Sequence, residues 1–315
     1  MIVGFDIGGT KCAVITAEME DGNIKLGERR AIPTDRSISP EAMIARLIEL
    51  ADYMVGEGAI SSIGISCGGP LDSKKGVIQS PPNLPGWDEI PMVAILKEHF
   101  GVPVHLQNDA NACAVAEWKF GAGKGTKNMV FLTFGTGLGA GLILDGKLYC
   151  GTNDNAGEVG HIRLSEDGPE GYGKTGSFEG FCSGGGLAQL GKTFAEQAMR
   201  NGITPSYVNA DGGITAKAIA EAAFAGDETA RKVYKTCGKQ LGKGLSIIID
   251  VLNPERIVIG SIFTRAHELL WKYTKEVIDR ESLSLSASVC EVVPASLGEQ
   301  IGDYAAIGVA LLEEN

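Results

Sequence analysis

Ile2-Val-Gly-Phe-Asp6-Ile-Gly-Gly-Thr-Lys11-Cys-Ala-Val-Ile15 opens the chain with an apolar strand, a glycine turn and an apolar return strand. Apolar runs this short, broken by Gly-Gly, are the pattern of a buried hairpin rather than of a helix. The same cadence returns at Met129 to Leu144, where Thr133-Phe-Gly-Thr-Gly-Leu138 stands in the place of Asp6-Ile-Gly-Gly-Thr-Lys11. An internal duplication explains the two units.

Outward from the first hairpin, strands and helices alternate. Pro40 stands at a favoured first helical position, and Met43, Ile44, Leu47, Ile48, Ala51, Met54 and Val55 recur at helical spacing until Gly56 and Gly58. Ser62 to Ser66 reads as a strand ending in Cys67-Gly68-Gly69-Pro70, and Val102 to Gln107 as another that runs into Asn108-Asp109. A helix follows from Ala110 to Trp118, and the glycine-rich stretch Gly121 to Gly125 reads as a boundary before the second cycle. Beyond it we expect helices at 215–225 and 229–252, a strand at 256–260, a helix at 266–278, a strand at 289–294 and a closing helix at 303–313. This is an α/β pattern. The 315 residues are about twice the usual domain length, so two domains sharing a cleft are expected. We place them at 1–118 with the C-terminal helix 303–315, and at 119–302.

Composition excludes several classes. Hydrophobic residues make up 44%, with 6% aromatics and 44 glycines, a globular balance that can bury a core. The net charge of −11, from 28 Lys plus Arg against 39 Asp plus Glu, repels a phosphate backbone and argues against a nucleic-acid partner. Cys12, Cys67, Cys113, Cys150, Cys182, Cys237 and Cys290 are scattered, odd in number and free of any Cys-x-x-Cys, which suits reduced thiols. Asp6 interrupts any apolar leader, and no run reaches the roughly 18 apolar residues of a membrane span. A cytoplasmic location is expected.

Four motifs carry chemistry. In the first turn, Gly8, Gly9 and Thr10 bring backbone N–H groups together without intervening side chains, a concavity suited to phosphate. Lys11 adds a cation, and Asp6 is placed to hold Mg²⁺ through water. The second turn, Gly135-Thr136-Gly137, repeats the device beside Thr133. It also fits a dinucleotide fingerprint, but that fingerprint must open a helix, whereas Gly141 to Tyr149 continues as strand and turn. Asn108-Asp109 lies where a strand meets a helix, a frequent place for catalytic groups in open sheets. There the helix dipole should keep Asp109 ionised, although an Asx cap alone would give the same pattern. Finally, Gly157-Glu158-Val-Gly-His161 and Glu179 gather two carboxylates and an imidazole that could hydrogen-bond sugar hydroxyls; as metal ligands they form a weak set.

Together with Pro82-Asn83-Leu-Pro-Gly-Trp87 and Asn253-Pro-Glu-Arg-Ile-Val-Ile-Gly260, and with Asn108-Asp-Ala-Asn-Ala112 leading to Glu117, these segments resemble the ROK family of sugar kinases and repressors along essentially the whole chain. The resemblance implies an actin-like (ribonuclease H-like) two-domain ATPase fold with duplicated mixed sheets and an active site in the interdomain cleft. It implies ATP with Mg²⁺ as cofactors, a small neutral sugar as substrate, and Asp109 as the base on a hydroxyl, usually that on carbon 6. Asn108, Glu158, His161 and Glu179 would hold the sugar and Asn83 would line its pocket. The two glycine turns and Gly260 would surround the nucleotide. A homodimer is the family's habit.

Two departures from the family pattern stand out. Where most members carry a zinc-binding Cys-x-Cys-Gly-x-x-Gly-Cys-x-Glu segment, this chain has Glu170-Gly-Tyr172-Gly-Lys-Thr-Gly-Ser177-Phe-Glu179. No structural zinc is expected, and Ser177, Tyr172 or a nearby carboxylate would have to orient His161 instead. The second departure is Gly260-Ser261 in place of a glycine pair. A sugar-binding repressor is the competing class. Its members carry an N-terminal helix-turn-helix, whereas here the first strand begins at Ile2.

Overall fold

The computed structural model describes residues 1–20 and 23–312. The final residues of the expected closing helix and of the C-terminal segment 303–315, residues 313–315, lie outside them.

The first sheet is built from β1 (Ile2–Ile7), β2 (Lys11–Glu20), β3 (Asn23–Pro33), β4 (Ser62–Cys67) and β5 (Val104–Asn108), in the order β3-β2-β1-β4-β5. Between β3 and β4 runs α1 (Pro40–Val55), and α2 (Met92–Phe100) precedes β5. The Ser39 hydroxyl accepts the Ala42 N–H to start α1, and Gly56 at φ +57° stops it. Its buried stripe is Met43, Ile44, Leu47 and Ala51. β5 passes directly into α3 (Asp109–Phe120).

A second sheet repeats the first. β6 (Met129–Phe134), β7 (Leu138–Leu144), β8 (Lys147–Tyr149), β9 (Arg256–Ile259) and β10 (Glu291–Pro294) take the order β8-β7-β6-β9-β10. In both sheets the first strand pairs antiparallel with the second and parallel with the fourth. The duplication read from the two glycine turns therefore extends to five strands on each side. Helices α4 (Gly184–Arg200), α5 (Ala216–Phe224), α6 (Glu228–Leu252) and α7 (Ile262–Glu281) are inserted before or after β9, and α8 (Ile301–Ala310) closes the chain.

Several elements differ from the sequence reading. β2 is longer than 12–15 and is joined by β3, an edge strand exposed at most positions, whose polar sequence hides it. α4 was not anticipated; it begins in Gly184-Gly185-Gly186, poor helix formers, and the Ser183 hydroxyl, accepting the Gly186 N–H at 3.0 Å, starts it. α7 begins at Ile262 rather than 266, with a kink at Ala266.

After leaving the second sheet, α8 returns to pack on β1, β4 and α3. The approach is backbone to backbone: a Cβ on Gly64 would lie 2.1 Å from the Ala306 carbonyl oxygen. Among the described residues no helix is long and apolar enough to cross a membrane.

Candidate active site

Strand register builds the first wall. Ile7 of β1 aligns with Cys67 of β4, and Cys67 aligns with Asn108 of β5. The first glycine turn, the loop after Cys67 and the Asn108-Asp109 junction thus emerge side by side at the carboxyl edge of one sheet. The second wall comes from the β6–β7 turn and from residues 150–179. Between them lies a cleft of about 860 Å³. It brings together Asn108, Asp109, Thr133, Gly135, Thr136, Gly137, Glu158, His161 and Glu179. Asp6, Gly8, Gly9, Thr10, Lys11, Asn83 and Gly260 do not line this volume; they adjoin it at the carboxyl ends of β1 and β9 and in the loop before α2.

Asp109 is the first residue of α3, and the side chain of Asn108 caps that helix by accepting the Asn111 N–H at 2.8 Å. The cap leaves the Asn108 amide nitrogen free of any described partner. The Asp109 carboxylate accepts the Ala110 N–H at 2.8 Å. It is open to the cleft but crowded by protein elsewhere, and this desolvation pushes its carboxyl up from the ordinary value, while the Ala110 N–H and its own N–H hold it down. Desolvation thus opposes the helix-end donors at this carboxyl.

Both glycine turns present unused donors. In the first, Arg36 takes the Gly9 carbonyl at 3.0 Å and the Thr34 hydroxyl takes that of Gly8. Among the described residues the N–H groups of Gly9 and Thr10 have no acceptor. A Cβ on Gly9 would stand 2.2 Å from the Asn83 carbonyl oxygen, so only glycine lets the two loops touch. Asn83 itself is wedged between Gly9 and Gly68 at the rim, while its neighbour Pro82 lines the cleft. In the second turn the Gly135 N–H reaches the Gly137 carbonyl at 3.0 Å, and the Thr133 hydroxyl is spent on Gly139. The N–H groups of Thr136 and Gly137 are left unpaired among the described residues.

Glu179 joins the second turn to the segment 158–161, its Cβ 3.3 Å from where a Cβ on Gly160 would stand. One carboxylate oxygen accepts the Leu138 N–H at 2.9 Å, and a Cβ on Gly137 would lie 2.7 Å from it. The other oxygen remains for a ligand. Glu158 precedes a single 3₁₀ turn over Val159–His161, of which His161 is the last residue. Of the partners expected for His161, Ser177 is engaged elsewhere: its hydroxyl accepts the Gly180 N–H, capping the short helix Phe178–Phe181, and donates to the Gly171 carbonyl at 3.4 Å. Tyr172 packs its ring edge-on to the imidazole at 5.9 Å, and Lys174 binds the His161 carbonyl at 2.6 Å. Packing, rather than a hydrogen bond to the ring, orients this histidine among the described residues.

The hairpin 170–175 offers no thiolate, so the donor set does not fit a structural zinc. Elemental analysis of purified protein should find far less than one zinc per chain, and chelation should leave thermal stability unchanged; a stoichiometric zinc would contradict this.

Asp6 does fit a hydrated divalent ion. Its half-buried carboxylate receives no hydrogen bond from any described residue, and burial raises it to about 6, with Arg29 and Lys11 pulling down and Asp303 and Asp109 pushing up. The folded value lies above the ordinary 3.8, so ionising Asp6 costs the ligand-free fold stability as pH rises from about 4 to about 6. Asp6→Asn should therefore melt higher than the parent at pH 7, an advantage that fades at pH 4. In the parent, Mg²⁺ affinity should weaken as pH falls below about 6, and in Asp6→Asn it should be low at every pH. Equal melting points at pH 7, or a parent Mg²⁺ affinity that is flat across pH 6, would contradict the assignment.

Sequence reasoning missed part of the site. Gly69, Pro70, Gln79 and the Asn153-Asp154-Asn155 loop line the cleft because tertiary folding carries them there. The Gly184 N–H at the start of α4 donates to the Gly135 carbonyl at 2.8 Å, which docks that helix N-terminus on the second turn. The Ser-Gly-Gly-Gly run at 183–186 was the available signal.

Comparison with known proteins places this geometry. The ROK family profile matches residues 2–315. A glucokinase of Halalkalibacterium halodurans is 32% identical over 309 residues, covering 95% of this chain and 92% of that protein. A xylose repressor of Caldicellulosiruptor bescii is 30% identical over 89% of this chain and 70% of its own length. The solved structure of a ROK family glucokinase from Streptomyces griseus, in complex with glucose and AMPPNP, superposes with a TM-score of 0.74 at 28% identity, covering 98% of this chain and 97% of that one. With such neighbours the two like-ordered sheets are the actin-like ATPase fold expected from the sequence.

Proposed function

The chain belongs to the ROK family, and we propose that it is an ATP-dependent sugar kinase that phosphorylates a hexose hydroxyl, that on carbon 6 of glucose or a related hexose. One observation carries the proposal: a cleft-facing carboxylate at Asp109 shares a volume with a glycine turn whose amides are unused and with a ring of sugar-sized polar groups.

In this reading Asn108, Glu158, His161 and the free oxygen of Glu179 grip the sugar hydroxyls, with Asn83 fixing the rim against the first turn. The N–H groups of Gly9, Thr10, Thr136 and Gly137, with Lys11, receive the polyphosphate, and Gly260 borders the base. Mg²⁺ held through Asp6 would neutralise the charge that gathers on the phosphate oxygens. Asp109 accepts the hydroxyl proton as the sugar oxygen bonds to the terminal phosphorus and the bridging bond to ADP breaks. A late proton acceptor suffices, because the transition state is loose and needs orientation more than a strong nucleophile. The units 1–118 with 303–315, and 119–302, would close over the substrates and exclude water.

The test is a coupled ADP-release screen with Mg·ATP over a panel of hexoses. The proposal expects ADP release that depends on one or a few of them, with the sugar phosphate formed in equal amount. Sugar binding without ADP release on any member of the panel would favour the regulator class to which the xylose repressor belongs, and would defeat the proposal.

A further inference from the structure

Glu117 lies outside the cleft and is 0% exposed, yet its carboxylate is saturated with donors drawn from two distant parts of the chain. The chain passes between the sheets twice, through 121–128 after α3 and through 295–300 before α8. Oε2 of Glu117 accepts the Ala122 N–H at 2.7 Å in the first crossover. Oε1 accepts the N–H groups of Ser296 and Leu297 at 3.0 and 2.9 Å in the second, and the Ser296 hydroxyl reaches Oε2 at 3.3 Å. The backbone carbonyl of Glu117 also holds the N–H groups of Gly121 and Gly123.

Both crossovers are fitted to this carboxylate. A Cβ on Gly121 would lie 2.1 Å from Oε2 and 3.0 Å from Leu297 Cγ, so only glycine admits the clasp. A buried charge satisfied by four donors is stable only while all four stay in place. Any relative slip of the two crossovers would strip donors from it. Rotation about the point where they meet would not.

We propose that Glu117 is a positioning residue for the reaction: its carboxylate pins the two crossovers together and is the pivot about which the cleft closes. The inference rests on the kinase reading for its catalytic consequence, but the pivot can be tested without it.

The variant that tests this is Glu117→Gln, which keeps the shape but replaces one acceptor oxygen with an NH₂ that opposes backbone N–H donors. Amide exchange on ligand-free protein should quicken about tenfold or more at Ala122, Ser296 and Leu297, as expected when a local opening loses about 1.4 kcal/mol, with protection of the two sheets unchanged. Below the variant's melting transition, kcat should fall and the KM values rise together by about tenfold, the mark of a displaced hinge rather than of a lost contact to substrate. Small-angle scattering should register a smaller contraction on adding glucose with Mg·AMPPNP than in the parent. Unchanged exchange at the crossovers would overturn the proposal, as would turnover and contraction equal to the parent's in a variant whose crossovers have loosened. If Glu117→Gln does not fold, exchange on the parent decides. The three amides should stay protected when glucose and Mg·AMPPNP are added, and loss of that protection would overturn the pivot. A parent that phosphorylates no hexose would defeat the kinase reading while leaving the ligand-free exchange experiment to judge the pivot.

Discussion

Asp109→Asn should lower kcat by about 10²-fold or more, the usual range for removal of a positioned base, while the dissociation constant for the sugar should change little. The asparagine keeps the size of the side chain and can still orient a hydroxyl, but it cannot accept the proton. Asn108 continues to cap α3, because that bond uses its own side chain and the Asn111 N–H. Loss confined to turnover is therefore the expected signature. Steady-state kinetics paired with calorimetric sugar titration checks it. Near-parental turnover would remove Asp109 from the chemistry, and loss of sugar binding in step with kcat would make it a binding group.

Gly157→Ala should damage the site as severely by another route. Gly157 sits at φ +92°, and a Cβ there would lie 2.1 Å from the Ala140 carbonyl oxygen, against rigid backbone of β7. Its own carbonyl accepts the Ala140 N–H at 3.0 Å, so the segment leading to Glu158 and His161 is laid against that strand by backbone contact. Gly160 repeats the contact, with a Cβ position 2.2 Å from the Leu138 carbonyl oxygen. An alanine at 157 must push the segment off β7, and a displacement of about 1 Å in groups that position a substrate costs on the order of 10²-fold in kcat/KM. Backbone strain adds about 1–3 kcal/mol of destabilisation. Unlike Asp109→Asn, this variant should lose sugar affinity together with rate. An unaltered sugar dissociation constant would show that Glu158 and His161 do not hold the sugar.

The contrast shows what a sequence makes legible. The paired turns at Gly8-Gly9 and Gly135-Thr136-Gly137 disclosed the duplication because a turn's chemistry is local, and the strands on either side follow from the same apolar runs. Asp109 was legible for a similar reason, since a strand running into Asn-Asp and then a helix fixes the carboxylate at a sheet's edge. Local signals failed where long-range packing decides. β3 is too polar to announce itself, and α4 begins in three glycines, of which Gly184 meets the second turn and Gly186 lies against the Gly180 carbonyl. The desolvation that pushes the Asp109 carboxyl up comes from walls contributed by remote residues, which local sequence does not display. Tyr172 was named from the sequence as a neighbour of His161, but that its contact is edge-on ring packing was not legible there. Glu117 was visible only as the end of a motif; its partners at Ser296 and Leu297 are 179 and 180 residues away.

The arrangement of Asp109 relative to the two turns can be seen directly in a crystal structure of the chain with a turned-over hexose and Mg·AMPPNP. The account predicts the acceptor hydroxyl about 2.6–3.2 Å from the Asp109 carboxylate, in line with the terminal phosphorus, and phosphate oxygens on the N–H groups of Gly9, Thr10, Thr136 and Gly137. A hexose seated away from Asp109, or a polyphosphate that touches neither turn, would contradict it.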